Sequence, residues 1–287
     1  MKHNLIIQLV GLIFLLILFY LTFPKQITNM NGFGRSFYDI EKCTCALPQS
    51  KIDAVGGWIY NEATIRNHHV SFDNGAGKEI LRIVLKNTPK TEGVKPKIGD
   101  IGAGVGQFGE WLKKTGSSSV DWYGFDGGSN VNSFCGKNVS LVNQEVYTVP
   151  KVCFLDASLP VKLEDFYLLG APFDWVMSVE VGEHIPAEYT KTYIDNLIRL
   201  SKYGIILSWA VVGQGGHGHV NNMDNQDVIK MMTDRSMVYL PQETATVRSR
   251  VQNLSWLKTR ISRWFGRENE ENVARTRTCC GWPSSPP

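Results

Sequence analysis

The pattern of apolar and polar positions distinguishes the amino-terminal part of the chain, which is almost entirely apolar, from the rest. Residues 5–23 are an apolar run in which Gln8 is the only strongly polar residue. A helix needs about 20 apolar residues to cross the core of a bilayer, so the pattern predicts a membrane-spanning signal anchor over residues 1–23. A cleaved signal peptide is the alternative, but its apolar part is shorter and ends in small residues, whereas this run ends in YLTFPKQ. The polar, turn-rich residues 24–50 are typical of a stem.

Strand-like and helix-like segments alternate in the remaining sequence. Strands are predicted at residues 95–104, 121–128, 152–158, 173–181 and 205–213, and helices at residues 77–87, 106–116 and 188–204. This alternation predicts an α/β domain with a mostly parallel sheet that is covered by helices on both faces. We place the domain at residues 51–270, with its core at about 95–220. The terminal sequence GWPSSPP predicts a disordered tail over residues 271–287.

Composition and charge fit one globular domain with appendages. The chain is 43% hydrophobic and 20% charged, and its formal net charge is +3, which is too balanced to indicate a nucleic-acid partner. Residues 256–267 interleave aromatic and basic side chains, and we predict an amphipathic helix that packs Leu257, Ile261 and Phe265 on the domain. The acidic run RENEEN that begins at Arg267 weakens a nucleic-acid interpretation further.

Cysteines and glycosylation sequons bear on the side of the membrane on which the domain lies. Asn138-Val139-Ser140 and Asn253-Leu254-Ser255 are acceptor motifs for N-linked glycans, and six cysteines would suit an oxidising compartment. Basic residues flank the apolar run on both sides, so the positive-inside rule does not set its orientation. We expect a single-pass protein of the endoplasmic reticulum or Golgi with a lumenal domain. Cys153 lies in an apolar run and is predicted to be a buried packing residue.

A glycine-rich loop and two carboxylates follow successive predicted strands. DIGAGVG, residues 100–106, lies between a strand and a helix, where glycines permit a tight turn and a close approach of a ligand to the backbone. Asp126 ends the second strand, where a carboxylate can accept from both hydroxyls of an adenosine ribose, and Asp156 ends the third, where it can accept from an adenine amino group. A P-loop is excluded because no Gly-Lys-Ser/Thr follows, and the spacing differs from the dinucleotide pattern G-x-G-x-x-G.

These motifs, followed by the strand FDWVMSVEV, resemble in their order those of class I S-adenosylmethionine-dependent methyltransferases. The matching positions are Asp100, Gly102, Gly104, Gly106, Asp126 and Asp156. The resemblance covers about residues 95–220 and implies a seven-stranded Rossmann-like sheet with S-adenosylmethionine as the methyl donor. It also implies that Asp126 binds the ribose, that Asp156 lies near the adenine, and that the loop glycines face the methionine part. The acceptor stays open, because members of this family methylate O, N, C or S atoms.

The segment VEVGEHIP after the fourth predicted strand brings together Glu180, Glu183 and His184 at i, i+3 and i+4. One interpretation is an ordinary helix start, with Glu183 at the positive end of the helix dipole. The other is a metal site, since carboxylates bind Mg²⁺ or Mn²⁺ and an imidazole favours Mn²⁺ or Zn²⁺. E-x-x-E-H resembles the metal-binding segment of ubiquinone-pathway O-methyltransferases and of small-RNA 3′-terminal 2′-O-methyltransferases, of which the latter add a histidine from later in the chain. GQGGHGHVNN offers His217 and His219 for that position.

The catalytic candidates are therefore His217, His219 and Glu183. A bound metal would lower the pKa of an acceptor hydroxyl and align it with the sulfonium methyl group, or a histidine would take the hydroxyl proton as a general base without a metal. The predicted function is O-methylation of a glycan or small-molecule hydroxyl by a chain that reaches its membrane through the N-terminal helix. The alternatives are a non-catalytic module that binds S-adenosylmethionine, and a methyltransferase for small molecules or thiols on the cytosolic face. The sequence does not indicate an oligomeric state.

Overall fold

The computed structural model describes residues 59–68, 72–140, 146–252 and 263–267. All of them belong to one compact unit that spans Leu47–Pro287. The predicted anchor, stem and disordered tail lie outside the described residues, as does the second sequon at Asn253. Within the described ranges, no helix has both the length and the apolar content that a membrane crossing requires.

A seven-stranded sheet organises the described part of the chain. Its strands are β1 (Lys97–Ile101), β2 (Asp121–Asp126), β5 (Val152–Phe154), β6 (Phe173–Ser178), β7 (Ser201–Leu207), β8 (Met237–Tyr239) and β9 (Arg263–Arg267). The order across the sheet is β5-β2-β1-β6-β7-β9-β8, and β9 is antiparallel to both of its neighbours while the other pairs are parallel. A separate antiparallel hairpin consists of β3 (Asn138–Ser140) and β4 (Val146–Thr148). The predicted fold class, α/β with a mostly parallel sheet, is confirmed.

Six α-helices accompany these strands in the described part of the chain. They are α1 (Glu62–His68), α2 (Asn74–Asn87), α3 (Gln107–Lys114), α4 (Thr190–Leu200), α5 (Asn225–Thr233) and α6 (Pro241–Arg250). The helices α2, α3 and α4 overlap the three predicted helical segments, but the third prediction, residues 188–204, wrongly extends into β7, which begins at Ser201. Each of them places an apolar stripe against the sheet, as helices with apolar residues every three or four positions do.

The sheet is buried on both faces, which explains why its central strands carry apolar residues on both faces. On one face, Ile98, Trp175 and Ile206 pack in a core cluster with apolar residues of α2, α3 and α6. Successive side chains of a strand point to opposite faces, so Val176 and Ile205 face the other side, and both are fully buried there. On that side α4 packs against β6 and β7. With both faces covered, polar chemistry is confined to the ends of the strands.

The carboxyl-terminal segment forms a strand where the sequence predicted an amphipathic helix. Residues Arg263–Arg267 are β9, which lies between β7 and β8 and buries Phe265 completely. A helix and a strand would both bury one aromatic ring, so the spacing around Phe265 does not distinguish them. The exposed edge of β7 needs hydrogen-bonding partners, and an adjacent strand supplies them. The helix prediction is therefore wrong for this segment, and the other two predicted contacts, Leu257 and Ile261, lie outside the described residues.

The prediction for Cys153 also needs correction. Cys153 is buried in β5 as expected, but it is disulfide-bonded, and so is Cys135. The prediction of a simple packing residue is wrong because an apolar, buried position accommodates a disulfide sulfur as well as a thiol. The first sequon forms β3, in which Asn138 and Ser140 are exposed while the intervening Val139 is buried.

Candidate functional site

The loop between β1 and α3 is a tight turn that favours glycine at three positions. Gly102, Gly104 and Gly106 have φ angles of +81°, +58° and +83°, in the left-handed region that a Cβ disfavours. The N–H of Gly102 donates to the carbonyl oxygen of Phe125 at 2.7 Å. The loop is therefore fixed against the carboxyl end of β2.

Two of these glycines are also required by close packing. A Cβ on Gly102 would lie 2.2 Å from the side chain of Val181, and a Cβ on Gly106 would lie 2.3 Å from Pro150. Both contacts are with other segments of the chain. At these two positions the packing of the protein on itself is enough to require glycine.

Asp126 is held at the end of β2 by three hydrogen bonds. Its Oδ1 accepts from the hydroxyl of Tyr60 and the N–H of Gly128, and its Oδ2 accepts from the N–H of Gly104, all at 2.8 Å. Burial raises the pKa of Asp126, and these bonds oppose that shift. A carboxylate offers about four acceptor positions, so one position remains beside these three bonds.

Tyr60 is a site residue that the sequence did not indicate. Its N–H donates to Oδ1 of Asn130 at 2.8 Å, and its carbonyl oxygen accepts from Nδ2 of Asn130 at 2.7 Å. Tyr60 is only 4% exposed, and burial raises the pKa of its hydroxyl, which therefore stays a neutral donor. No local pattern marks Tyr60, because its bond to Asp126 joins positions that are 66 residues apart.

The other two predicted cofactor carboxylates have different surroundings. Asp100 is buried in β1, and its Oδ2 accepts from the indole N–H of Trp122 at 3.0 Å. Burial and, to a smaller extent, the nearby Asp126 raise the pKa of Asp100 to about 7, although the Trp122 hydrogen bond opposes the shift, so Asp100 is partly protonated at neutral pH. Asp156 follows β5, and its Oδ1 accepts from the N–H and the hydroxyl of Ser158 at 2.9 Å and 2.6 Å.

Glu183, His184 and His219 form a group whose potential ligand atoms all lie within 4.8 Å of one another. Glu183 and His184 belong to a short 3₁₀ turn after β6, Gly182–His184, and Glu183 is completely buried. The Nδ1 of His219 is also buried, and it has no hydrogen-bond partner among the described residues. A buried carboxylate beside two imidazoles is a donor set that suits Mn²⁺ or Zn²⁺ better than Mg²⁺. The residues present therefore fit a divalent cation.

Hydrogen bonds bring His219 to this turn from the loop that follows β7. The N–H of Asn221 donates to the carbonyl oxygen of Glu183 at 3.0 Å, and its side-chain amide donates to Oγ1 of Thr190 at 2.8 Å. The carbonyl oxygen of Asn221 accepts from the indole of Trp209 at 2.6 Å. Asn221 thus fastens the loop to the turn after β6 and to the start of α4, and His219 lies two residues before it.

The tautomer of His184 follows from its contact with the same loop. Its Nδ1 lies 3.0 Å from the carbonyl oxygen of Gly218. A carbonyl oxygen can only accept, so Nδ1 carries the hydrogen and Nε2 keeps its lone pair. Burial lowers the pKa of His184, and the neighbouring His219 and His217 lower it further, although the Gly218 carbonyl opposes the shift. At neutral pH His184 is therefore mainly an uncharged imidazole.

Two of the predicted site residues lie outside this group. Glu180 has a φ of +57°, its N–H donates to Oγ of Ser208 at 2.7 Å, and its Oε1 accepts from the same hydroxyl at 2.7 Å. Ser208 directly follows β7, so Glu180 ties the ends of β6 and β7 together. His217 is exposed and is close enough to His184 to affect its pKa.

Comparison with known proteins finds distant structural neighbours and no family. No known protein family matches the chain, and no curated protein matches it. Magnesium protoporphyrin IX methyltransferase from Synechocystis PCC 6803, solved with bound S-adenosylmethionine, is 16% identical, with a TM-score of 0.41 and coverage of 72% of this chain and 95% of that one. An S-adenosylmethionine-dependent methyltransferase from Archaeoglobus fulgidus is 19% identical, with a TM-score of 0.37 and coverage of 56% and 69%.

A third neighbour is 1,6-didemethyltoxoflavin-N1-methyltransferase from Burkholderia thailandensis, which is 12% identical, with a TM-score of 0.40 and coverage of 68% of this chain and 78% of that one. At these identities and TM-scores, similarity does not identify an activity. The activity has to be argued from the residues of the chain itself.

Proposed function

We propose that this chain is an S-adenosylmethionine-dependent methyltransferase that methylates a hydroxyl group, and that Glu183, His184 and His219 hold a divalent cation beside that acceptor. The observation that carries the proposal is the presence of two sets of groups at the carboxyl edge of one sheet. One set is the glycine loop with Asp126, which suits a nucleoside, and the other is the buried Glu183 group. When bound, S-adenosylmethionine supplies an electrophilic methyl group, and a divalent cation lowers the pKa of a hydroxyl that it contacts.

Residues at the ends of β2 and β5 bind and orient the donor in this proposal. The remaining acceptor position on Oδ2 of Asp126 takes one ribose hydroxyl, while Tyr60 holds the Oδ1 side of the carboxylate in place. In Asp156, Oδ1 is engaged by Ser158, and Oδ2 is the oxygen directed to an adenine amino group. Strands β2 and β5 are parallel neighbours, so Asp126 at the end of β2 and Asp156 two residues after β5 follow the same edge of the sheet.

The acceptor side rests on the turn after β6 and the loop after β7. Nε2 of His184, the carboxylate of Glu183 and Nδ1 of His219 are the atoms that would hold the cation. In the transfer, the acceptor oxygen bonds to the methyl carbon while the carbon–sulfur bond breaks, and the sulfur keeps the electron pair. The hydroxyl proton leaves to a base, and we assign that role to His217, which is exposed and close enough to His184 to lower its pKa.

The acceptor class depends on the compartment. We propose a lumenal domain behind the predicted N-terminal anchor, with a sugar hydroxyl of a glycan as the acceptor. The disulfide-bonded Cys135 and Cys153 and the exposed sequon at Asn138 support this compartment. A cytosolic domain would instead make a small-molecule hydroxyl the acceptor, as the resemblance of the E-x-x-E-H segment to ubiquinone-pathway O-methyltransferases suggests.

Cofactor binding is the first test. The full chain in detergent is titrated with S-adenosylmethionine in a calorimeter, with Asp126→Ala as the variant. We expect binding by the wild type and a loss of at least tenfold in affinity for the variant, because one hydrogen bond to a charged group contributes about 1.5–3 kcal/mol. A folded wild-type chain that does not bind S-adenosylmethionine would exclude the proposal.

Metal dependence is the second test. Methyl transfer from labelled S-adenosylmethionine is measured with methyl glycosides and a catechol as acceptors, before and after treatment with EDTA. We expect EDTA and Glu183→Gln each to reduce the rate at least a hundredfold, and Glu188→Gln, an exposed glutamate on the next turn, to leave it unchanged. Full turnover in EDTA would refute metal assistance, and cofactor binding without transfer to any acceptor would favour a non-catalytic module.

A further inference from the structure

The imidazole of His219 lies directly over the backbone of Gly216. A Cβ on Gly216 would lie 2.1 Å from Nε2, 2.2 Å from Cε1 and 2.4 Å from Cδ2 of that ring. Three ring atoms at similar, very short distances mean that the ring occupies the space that any side chain at position 216 would need. A Cβ on the adjacent Gly215 would have no atom within 4 Å. A side chain therefore has space at position 215 but not at position 216.

Polar contacts do not explain the position of this ring. The Nδ1 of His219 is buried without a hydrogen-bond partner in the described part of the chain. The ring meets His184 edge to face, with centroids 5.1 Å apart and an interplanar angle of 82°. The ring is therefore placed by packing, with Gly216 on one side and His184 close to it.

We propose that Gly216 is a positioning residue, which seats the imidazole of His219 against Glu183 and His184. The inference rests on the proposed metal-binding role of this group. Ordinary contacts between carbon atoms are about 3.5–4.0 Å, so a methyl group at position 216 would push the ring away by more than about 1 Å. Metal–ligand distances tolerate only about 0.2 Å, so such a shift removes His219 from the ligand set.

The backbone at position 216 does not itself require glycine. Left-handed φ angles occur at Gly213 and Gly218 in this loop, but not at Gly215 or Gly216. The atoms that Gly216→Ala would displace form the outer end of one side chain, while position 216 is exposed. The substitution should thus move His219 and leave the fold intact, which makes Gly215→Ala a matched control.

The experiment measures Mn²⁺ binding to the full chain by electron paramagnetic resonance, without cofactor or acceptor. The variants are Gly216→Ala, Gly215→Ala, His219→Ala and the double variant Gly216→Ala with His219→Ala. We expect Gly216→Ala and His219→Ala each to raise the Kd for Mn²⁺ at least tenfold, and Gly215→Ala to leave it unchanged. The double variant should bind no more weakly than His219→Ala alone, because Gly216 acts through that ring. Melting temperatures of the two glycine variants should agree.

The outcomes separate this inference from the function on which it rests. If His219→Ala weakens Mn²⁺ binding and Gly216→Ala does not, the positioning role is refuted and the metal site stands. If His219→Ala binds Mn²⁺ as the wild type does, His219 is not a ligand and both statements fail. A melting temperature for Gly216→Ala well below that of Gly215→Ala would assign Gly216 to the stability of the loop and would also overturn the inference.

Discussion

The hydroxyl of Tyr60 holds Oδ1 of Asp126, on the opposite side of the carboxylate from Gly104. Tyr60→Phe keeps the buried ring but leaves Oδ1 to Gly128 alone, so the carboxylate is held less firmly for the ribose of the proposed cofactor. The lost bond contributes about 1.5–3 kcal/mol, and only the part that orients the carboxylate for the cofactor enters the Kd, so we expect the Kd for S-adenosylmethionine to rise by up to about tenfold. Calorimetry of the full chain measures this. Tyr239→Phe, whose ring packs on Phe265 in the sheet, is the control, and equal affinity in both variants would show that Asp126 does not depend on Tyr60.

Asp100 should make the stability of the fold depend on pH. Burial raises its pKa from 3.8 to about 7, so between these values the folded chain binds more protons than the unfolded chain. Its contribution to stability is therefore complete below about pH 4 and is lost as the pH rises through about 7. Asp100→Asn keeps an acceptor oxygen for Trp122 and cannot ionise. We expect this variant to melt at a higher temperature than the wild type at about pH 8, with little difference at about pH 4.

A melting curve at each pH is sufficient for this comparison. Asp121→Asn, at the half-buried start of β2, provides a control whose carboxylate is not fully buried. If Asp100→Asn and the wild type melt together at both pH values, the raised pKa is refuted.

Single residues also show where prediction from the sequence reached its limit. Asp126 and Glu183 could be assigned to the sheet edge because the apolar run before each one indicates where its strand ends. Tyr60 and Gly216 could not be found in this way, because each acts through a contact with a side chain that no local pattern specifies. Glu180 has the spacing of a ligand, but its left-handed backbone and its bonds to Ser208 direct it elsewhere.

At the scale of elements, the length of an apolar run decided what could be predicted. Strands β1, β2, β5, β6 and β7 and helices α2, α3 and α4 were predicted, since each has several buried positions at a regular spacing. The hairpin of β3 and β4 and the edge strand β8 have three residues each, of which only one is buried, so they show no apolar run. Strand β5 is equally short, but all three of its residues are buried and apolar. Strand β9 was mistaken for part of a helix because its partners, β7 and β8, are distant in the sequence.

The loop between β1 and α3 gives a prediction at this scale. Gly102 and Gly116 both have a left-handed φ, but a Cβ on Gly102 would lie 2.2 Å from Val181, whereas a Cβ on Gly116 would meet nothing within 4 Å. Gly116→Ala should therefore lower the free energy of unfolding by only about 1–2 kcal/mol, which is the conformational cost of a left-handed residue with a Cβ. Gly102→Ala should lower the free energy of unfolding by a further ~1–3 kcal/mol, because its methyl group would overpack against Val181. This variant should also lose cofactor binding. Chemical denaturation measures the destabilisation, and calorimetry measures cofactor binding. If both variants are destabilised equally, the side chain of Val181 can move aside without a loss of stability, and the overpacking argument is wrong.

For the whole molecule, the compartment decides which acceptors the site can meet. Cys135 and Cys153 are disulfide-bonded, and disulfides persist in oxidising compartments such as the lumen of the endoplasmic reticulum. Asn138 lies three residues after Cys135 and is exposed on β3, where its Oδ1 accepts only from the exposed hydroxyl of Thr148, at 2.9 Å, among the bonds described. A glycan on Asn138 would therefore point into solvent without disturbing the core.

We accordingly expect Asn138 to carry an N-linked glycan when the full chain is made in eukaryotic cells. Peptide N-glycosidase F should increase its mobility on a gel, and Asn138→Gln in a background of Asn253→Gln should abolish that change. Ser140→Thr keeps the acceptor motif and should keep the glycan, so it controls for effects of substitution in β3. An unmodified chain whose carboxyl-terminal tag is digested by protease in intact microsomes would place the domain in the cytosol. Small-molecule hydroxyls would then replace glycans as the acceptors of the site.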